Sequence, residues 1–196
     1  HLFLTIDAAI NKCVAERGDV IIVAPGHTED VVAAAGIDVD VANVSIIGLG
    51  NGDDRPTINF TTAKTAAIDI DAANILIENI YFDLTGIDEL AAAIDVNAAN
   101  FTLKNCEILM ADSDGKAKNA ITTAAAAHNL KILNCKILAP NAGADDGINI
   151  TGAINGAEIK NCFIAGVFAV APIHNPTGNI ATNLLIQDCV LKNDKT

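Results

Sequence analysis

Residues 143–150 read GADDGINI and set Asp145 and Asp146 side by side. Paired carboxyls are the working groups of a glycosidase, one serving as acid and the other as nucleophile or base. Neighbours on an extended segment point to opposite sides, and no third acid is evident, so a turn entering the next strand is expected instead. Residues 111–118, ADSDGKAK, hold Asp112, Ser113, Asp114 and Gly115, a fragment of a calcium-loop pattern. The terminal bidentate Glu is missing, and a solvated loop is expected. His27, His128 and His174 lack the paired spacing of a metal site, and His128 is expected in a turn. Spacing thus assigns no catalytic, cofactor-binding or metal residue.

A different set of acids is periodic. Asp38, Asp69 and Asp95 fall at equivalent outward places, with Asp40 and Asp71 two residues on. If the chain stacks these places, neighbouring carboxylates repel by about 1 kcal/mol in water-like surroundings. Such a column is either a solvated polar face or a surface for cations or a partner. Elsewhere the charges alternate in sign, Glu78 lying under Lys104 and Glu107 under Lys136.

The elements that would position these groups follow from an internal repeat. ANFTLKNCEIL (residues 99–109) and HNLKILNCKIL (128–138) share one pattern, and it occurs six times. With the opening residue as position zero, that column is Asn43, Asn74, Asn100, Asn129, Gly156 and Asn183. Position three is Ile46, Ile77, Leu103, Ile132, Ile159 and Ile186. Position five is Gly48, Asn79, Asn105, Asn134, Asn161 and Asp188, and position six is Leu49, Ile80, Cys106, Cys135, Cys162 and Cys189. Successive copies are 26 to 31 residues apart.

Apolar residues at positions one and three alternate with polar or mixed ones, the period of a strand with one buried face. Asn at position five tolerates a left-handed backbone and marks a sharp bend. A second strand follows the bend, and a third lies upstream in GIDVDV, AIDID, AIDVN and GINIT. Three strands per coil describe an all-β, right-handed parallel β-helix of about six to seven coils over residues 19–196. Stacking at about 4.8 Å would set position three in one buried column and Asn79, Asn105, Asn134 and Asn161 in an amide ladder. The position-six column would point inward and hold four buried free thiols, since parallel stacking suits a disulfide poorly. A leucine-rich repeat is the rival solenoid, and its leucine pattern is absent.

Residues 1–18 form a separate cap. TIDAAINKCVAERG places Ile6, Ala9, Ile10, Cys13 and Val14 at helical spacing, with Gly18 as a stop, and Arg17 falls on the same helix. A helix there would cover the open end of the solenoid and keep Cys13 free on its inner face. The first ten residues lack the basic region and cleavage site of a signal peptide and read as the trimmed start of a longer protein.

Composition narrows the partners. Formal net charge is −12, with only Arg17 and Arg55 as arginines, which argues against nucleic acid and anionic membranes. The five cysteines contain no C-x-x-C pair, so neither a zinc site nor a redox motif is signalled. No cofactor is expected.

The opening TIDAAINKCVAERGDVIIVAPGHTED resembles that of pectin-lyase-like β-helix proteins. DVIIVAPGHTEDV, VSIIGLGNGDDRPTINF and ANILIENIYF resemble β-helix virion proteins of tailed bacteriophages. That resemblance implies a non-enzymatic structural protein of a phage particle, a spike, fibre or decoration domain located in the virion. By analogy it would be a homo-oligomer, with a trimer favoured and other virion proteins as partners. The polygalacturonase Gly-His-Gly segment and basic pair are absent, Arg55 lies in an early loop away from the middle coils, and aromatic sugar platforms are scarce. A carbohydrate-binding or polysaccharide-degrading β-helix is the alternative, and a cell-surface adhesin repeat is the third reading.

Overall fold

A computed structural model of the chain describes residues 2–111, 116–178 and 180–195. The chain winds as a right-handed parallel β-helix with three faces. The first carries Val20–Val23, Ser45–Gly48, Leu76–Glu78, Thr102–Lys104, Leu130–Leu133, Asn155–Lys160 and Thr182–Gln187, all in parallel order. The second begins with Thr28–Val31, Thr57–Phe60, Tyr81–Asp83 and Glu107–Leu109. The third begins with Ile37–Asp38, Ile68–Ile70, Leu90–Val96 and Ala117–Thr123. Two long strands, Lys136–Asn149 and Phe163–His174, run from the second face round the corner into the third. Val190–Asn193 closes the second face.

The register stacks Ile21, Ile46, Ile77, Leu103, Ile132, Ile159 and Ile186 in one column. The strand Val20–Val23 is thus a seventh rung ahead of the six copies, and its left-handed position-zero residue is Gly18, at φ 76°. Ile46 to Ile159 are at most 2% exposed, whereas Ile186 is 41% exposed because no described strand stacks on the last rung. On the third face Ile37, Ile68, Ile94, Ile121 and Ile148 make an equally dry column. Each such side chain contributes about 1.5–3 kcal/mol by leaving water.

Both bends of the repeat are left-handed. Asn79, Asn105, Asn134, Asn161 and Asp188 take φ near 55–60° at position five. Position zero does the same, with Asn43, Asn74 and Asn100 at φ 62°. Gly48 is the exception. A Cβ there would come within 2.2 Å of the Asn79 carbonyl oxygen, and the left-handed residue is Gly50 instead. The delayed bend turns Leu49 outward, 44% exposed, so it does not continue the inward position-six column.

The amide ladder is longest at position zero rather than position five. Asn100 Nδ2 donates to Asn74 Oδ1 at 2.8 Å, and Asn129 Nδ2 to Asn100 Oδ1 at 3.0 Å. Gly156, without a side chain, ends it. At position five Asn134 donates to Asn105 at 3.2 Å, but Asn105 turns to Glu78 and Asn79 to the carbonyls of Gly48 and Gly50.

All five cysteines are free. Cys106, Cys135 and Cys162 are buried, each donating to the carbonyl two residues before it, so the thiol serves a backbone oxygen at the bend as well as the core. The hydrogen bond with Cys106 is the main cause pushing the Cys135 thiol up, and the bond with Cys135 does the same for Cys162. Cys189, in the last rung, is only partly buried, so three thiols are buried rather than four.

The capping helix is short, Ile6–Ile10, with Thr5 as N-cap. Ile6, Ala9 and Ile10 are buried against the first coil. Glu29 Oε2 accepts from the Ile6 amide at 2.9 Å, and Asp7 Oδ1 from the Asp38 amide at 3.2 Å, fastening cap to coil. The helix ends at Asn11, whose side chain folds back on Asp7, so the helical spacing does not carry to Cys13 and Val14. Cys13 is partly buried and Val14 exposed, while Arg17 lies beyond the helix and pairs with Asp19.

Candidate functional site

The third face brings the periodic acids together. Asp38 stacks on Asp69 and Asp69 on Asp95. Each rung places neighbouring backbones about 4.8 Å apart. Two further rungs continue the column with Thr122 and Asn149, and His174 ends it. Thr122 Oγ1 donates to Asp95 Oδ1 at 2.9 Å, and Asn97 Nδ2 to Asp71 Oδ1 at 2.8 Å.

The central acid is the most perturbed. Burial, and then the charges of Asp95, Asp71 and Asp38, push the Asp69 carboxyl up to about 6. Asp38 is also raised, first by burial and then by Asp40, Asp71 and Asp7, and its Oδ1 is buried without a hydrogen-bond partner. The result is a carboxyl with raised proton affinity, stacked between two others on a half-buried face. The whole chain carries this asymmetry: residues 1–100 hold sixteen acidic and four basic side chains, and residues 101–196 eight of each.

The groups singled out by sequence fall apart. Asp145 and Asp146 lie within the strand Lys136–Asn149 rather than in a turn, at a register shift between Ala144 and Asp146. The irregularity buries Asp146, 2% exposed, and leaves Asp145 partly exposed, so the two do not form an acid pair. Asp146 instead accepts from the Ala171 amide at 3.1 Å and meets His174 Nδ1 at 2.9 Å. Spacing missed that pair, although His174 lies 25 residues from Asn149, close to one coil. The calcium-loop fragment Asp112–Gly115 lies outside the described residues. His27 meets Glu29 at 3.2 Å, and His128 sits in a turn where Nδ1 accepts from the Asn155 amide.

Arg55 does reach the middle coils, contrary to expectation. Its guanidinium extends to Glu107, which also pairs with Lys136 at 2.8 Å. Burial acts upward on the Glu107 carboxyl, but Lys136 and Arg55 outweigh it and hold it low. Glu78 and Lys104 pair at 3.0 Å as their stacking implies.

Among the described residues no three His, Cys, Asp or Glu side chains converge to hold a metal ion. No described helix is long and apolar enough to cross a membrane. A groove of ≈ 440 Å³ beside the cap, lined by Phe3, Ile6, Cys13 and Ile21 among others, lies away from the acidic column.

No protein-family model matches the chain, and no curated protein matches it. Among solved structures it is similar to a crystal structure titled "putative glycosyl hydrolase", from Parabacteroides merdae. The TM-score is 0.69 at 17% identity, covering 94% of this chain and 86% of that one. The likeness is one of fold. It extends over nearly the whole solenoid and says nothing of a phage particle.

Proposed function

We propose that the third face engages carbohydrate and that Asp69 and Asp95 form a glycosidase-type acid pair. The observation that carries this reading is the Asp69 carboxyl, raised to about 6 between two neighbouring carboxyls. A general acid must keep its proton near working pH while its partner stays charged. Asp95, which accepts from the Thr122 hydroxyl at 2.9 Å, is the second carboxyl of the pair. One rung matches the roughly 5 Å carboxyl separation of retaining enzymes. The rung is also about as long as one pyranose ring in an extended glycan, so a chain laid along the axis would meet repeated positions. The acidic face repels polyuronates and selects neutral or amino-sugar polymers. The solenoid likeness to a protein titled as a glycosyl hydrolase supports the fold of such an enzyme and no residue role.

The test is release of reducing ends from a panel of neutral and amino-sugar polysaccharides. Asp69→Asn and Asp95→Asn should each lower the rate by 100-fold or more. Variants that match the parent, or a parent that cleaves nothing, would sink the reading.

A second reading is a structural β-helix of a phage particle assembled as a homotrimer, and the resemblance of DVIIVAPGHTEDV and ANILIENIYF to phage β-helix proteins supports it. Light scattering should then give three times the chain mass, and a stable monomer would exclude it.

A further inference from the structure

We propose that His174 and Asp146 form a proton-accepting subsite on the third face, one that takes the hydroxyl groups of a sugar. This rests on the carbohydrate reading but on different residues from the acid pair. Asp146 stands at a register position filled by Ala92, Asn119 and Ala171 in the neighbouring coils, so the fold does not require a carboxyl there. Burying one is costly unless it is paired and hydrogen-bonded. Here Oδ1 accepts from the Ala171 amide at 3.1 Å and Oδ2 meets His174 Nδ1 at 2.9 Å.

The bond fixes the imidazole. Nδ1 faces the Asp146 carboxylate, which only accepts, and so donates to it; in the neutral ring Nε2 is then the acceptor. The ring is held by Asp146, yet 32% of the side chain remains exposed. On the rung beside it Asn149 pairs in register with His174 and turns its Nδ2 to Asn119 Oδ1 at 3.4 Å, while its Oδ1 is buried with no hydrogen-bond partner. The partly exposed imidazole, held from behind by Asp146, offers an acceptor that a donor-rich ligand such as a polyol can meet. Asp146 acts here as the positioning residue for His174.

Diethyl pyrocarbonate labelling at pH 7, read by mass spectrometry, tests the pair. His174 should be acylated at Nε2. Asp146→Asn should slow its labelling at least fivefold, and Asp145→Asn should leave it within twofold. Cellohexaose and chitohexaose at millimolar concentration should shield His174, and at least one must do so. An unreactive His174, a rate unchanged by Asp146→Asn, or no shielding by either sugar overturns the proposal. If Asp146→Asn does not fold, ring nitrogen NMR of the parent decides: protonated Nδ1 is expected, and a protonated Nε2 with bare Nδ1 refutes it. Should His174 behave as stated while no polysaccharide is cleaved, hydrolysis at Asp69 falls and this subsite stands. Cleavage that depends on Asp69 beside an indifferent His174 means the opposite: the acid pair stands and this subsite falls.

Discussion

The same stacking produces opposite ladders on two faces. At the bend leading into the first face Asn74, Asn100 and Asn129 hand one hydrogen bond to the next coil. On the third Asp38, Asp69 and Asp95, in extended strands, stack with the same one-rung step and repel. An amide has both donor and acceptor and so fits a copy of itself; a carboxylate has acceptors only. A solenoid multiplies any side-chain choice along its axis. A self-complementary residue becomes a stabilising column, and a like-charged one becomes a strained column with displaced protonation.

The harshest way to break the comparison is to remove the core both ladders stand on. Ile132→Ala should cost about 2–5 kcal/mol, read as a drop in denaturation midpoint. Cutting the amide ladder should cost less. Asn100→Ala loses two side-chain bonds and strains a left-handed residue, for about 2 kcal/mol in the same assay. Easing the acid ladder should have the opposite sign. Asp69→Asn removes a repelled charge and should stabilise the protein by about 1 kcal/mol at pH 7, since solvent screens a partly exposed carboxylate.

The pH dependence of that last change follows from the raised carboxyl. Folded Asp69 binds its proton up to about pH 6, and the unfolded group releases it near 3.8. Its contribution is therefore favourable below 3.8 and is lost as pH rises through 6. Melting curves should show the gain from Asp69→Asn shrinking as pH falls from 7 to 4; a gain that grew would contradict the stacking. The smallest effect concerns the thiols. Cys13 and Cys189 should alkylate in the native protein, and Cys106, Cys135 and Cys162 only on unfolding.

Much of the scaffold was legible because stacking forces the sequence to repeat. Position three, the left-handed Asn bend and the Asp38–Asp69–Asp95 alignment could all be read from spacing. What spacing could not show were departures from the repeat. Gly48 avoids the Asn79 carbonyl and delays one bend, which reverses Leu49. Register shifts near Ala144 bury Asp146 and bring it to His174, a pairing no fixed period predicts. Arg55 reaches Glu107 only because its loop lies against the coils and its side chain is long. Position zero is aligned by the same spacing, but its amides make the better ladder. Glu78 and the Gly48 and Gly50 carbonyls draw off the position-five amides.

The uneven placement of charge also gives the solenoid an electrical direction. All of the excess negative charge lies in residues 1–100, and the remainder of the chain is neutral. Such a rod has a large permanent dipole along its axis. In a field from a positively charged surface it turns so that the capped end leads, before any contact forms. Physiological salt shortens the reach of that torque to about 8 Å, so orientation would be set only at near-contact and would weaken steeply as salt is added.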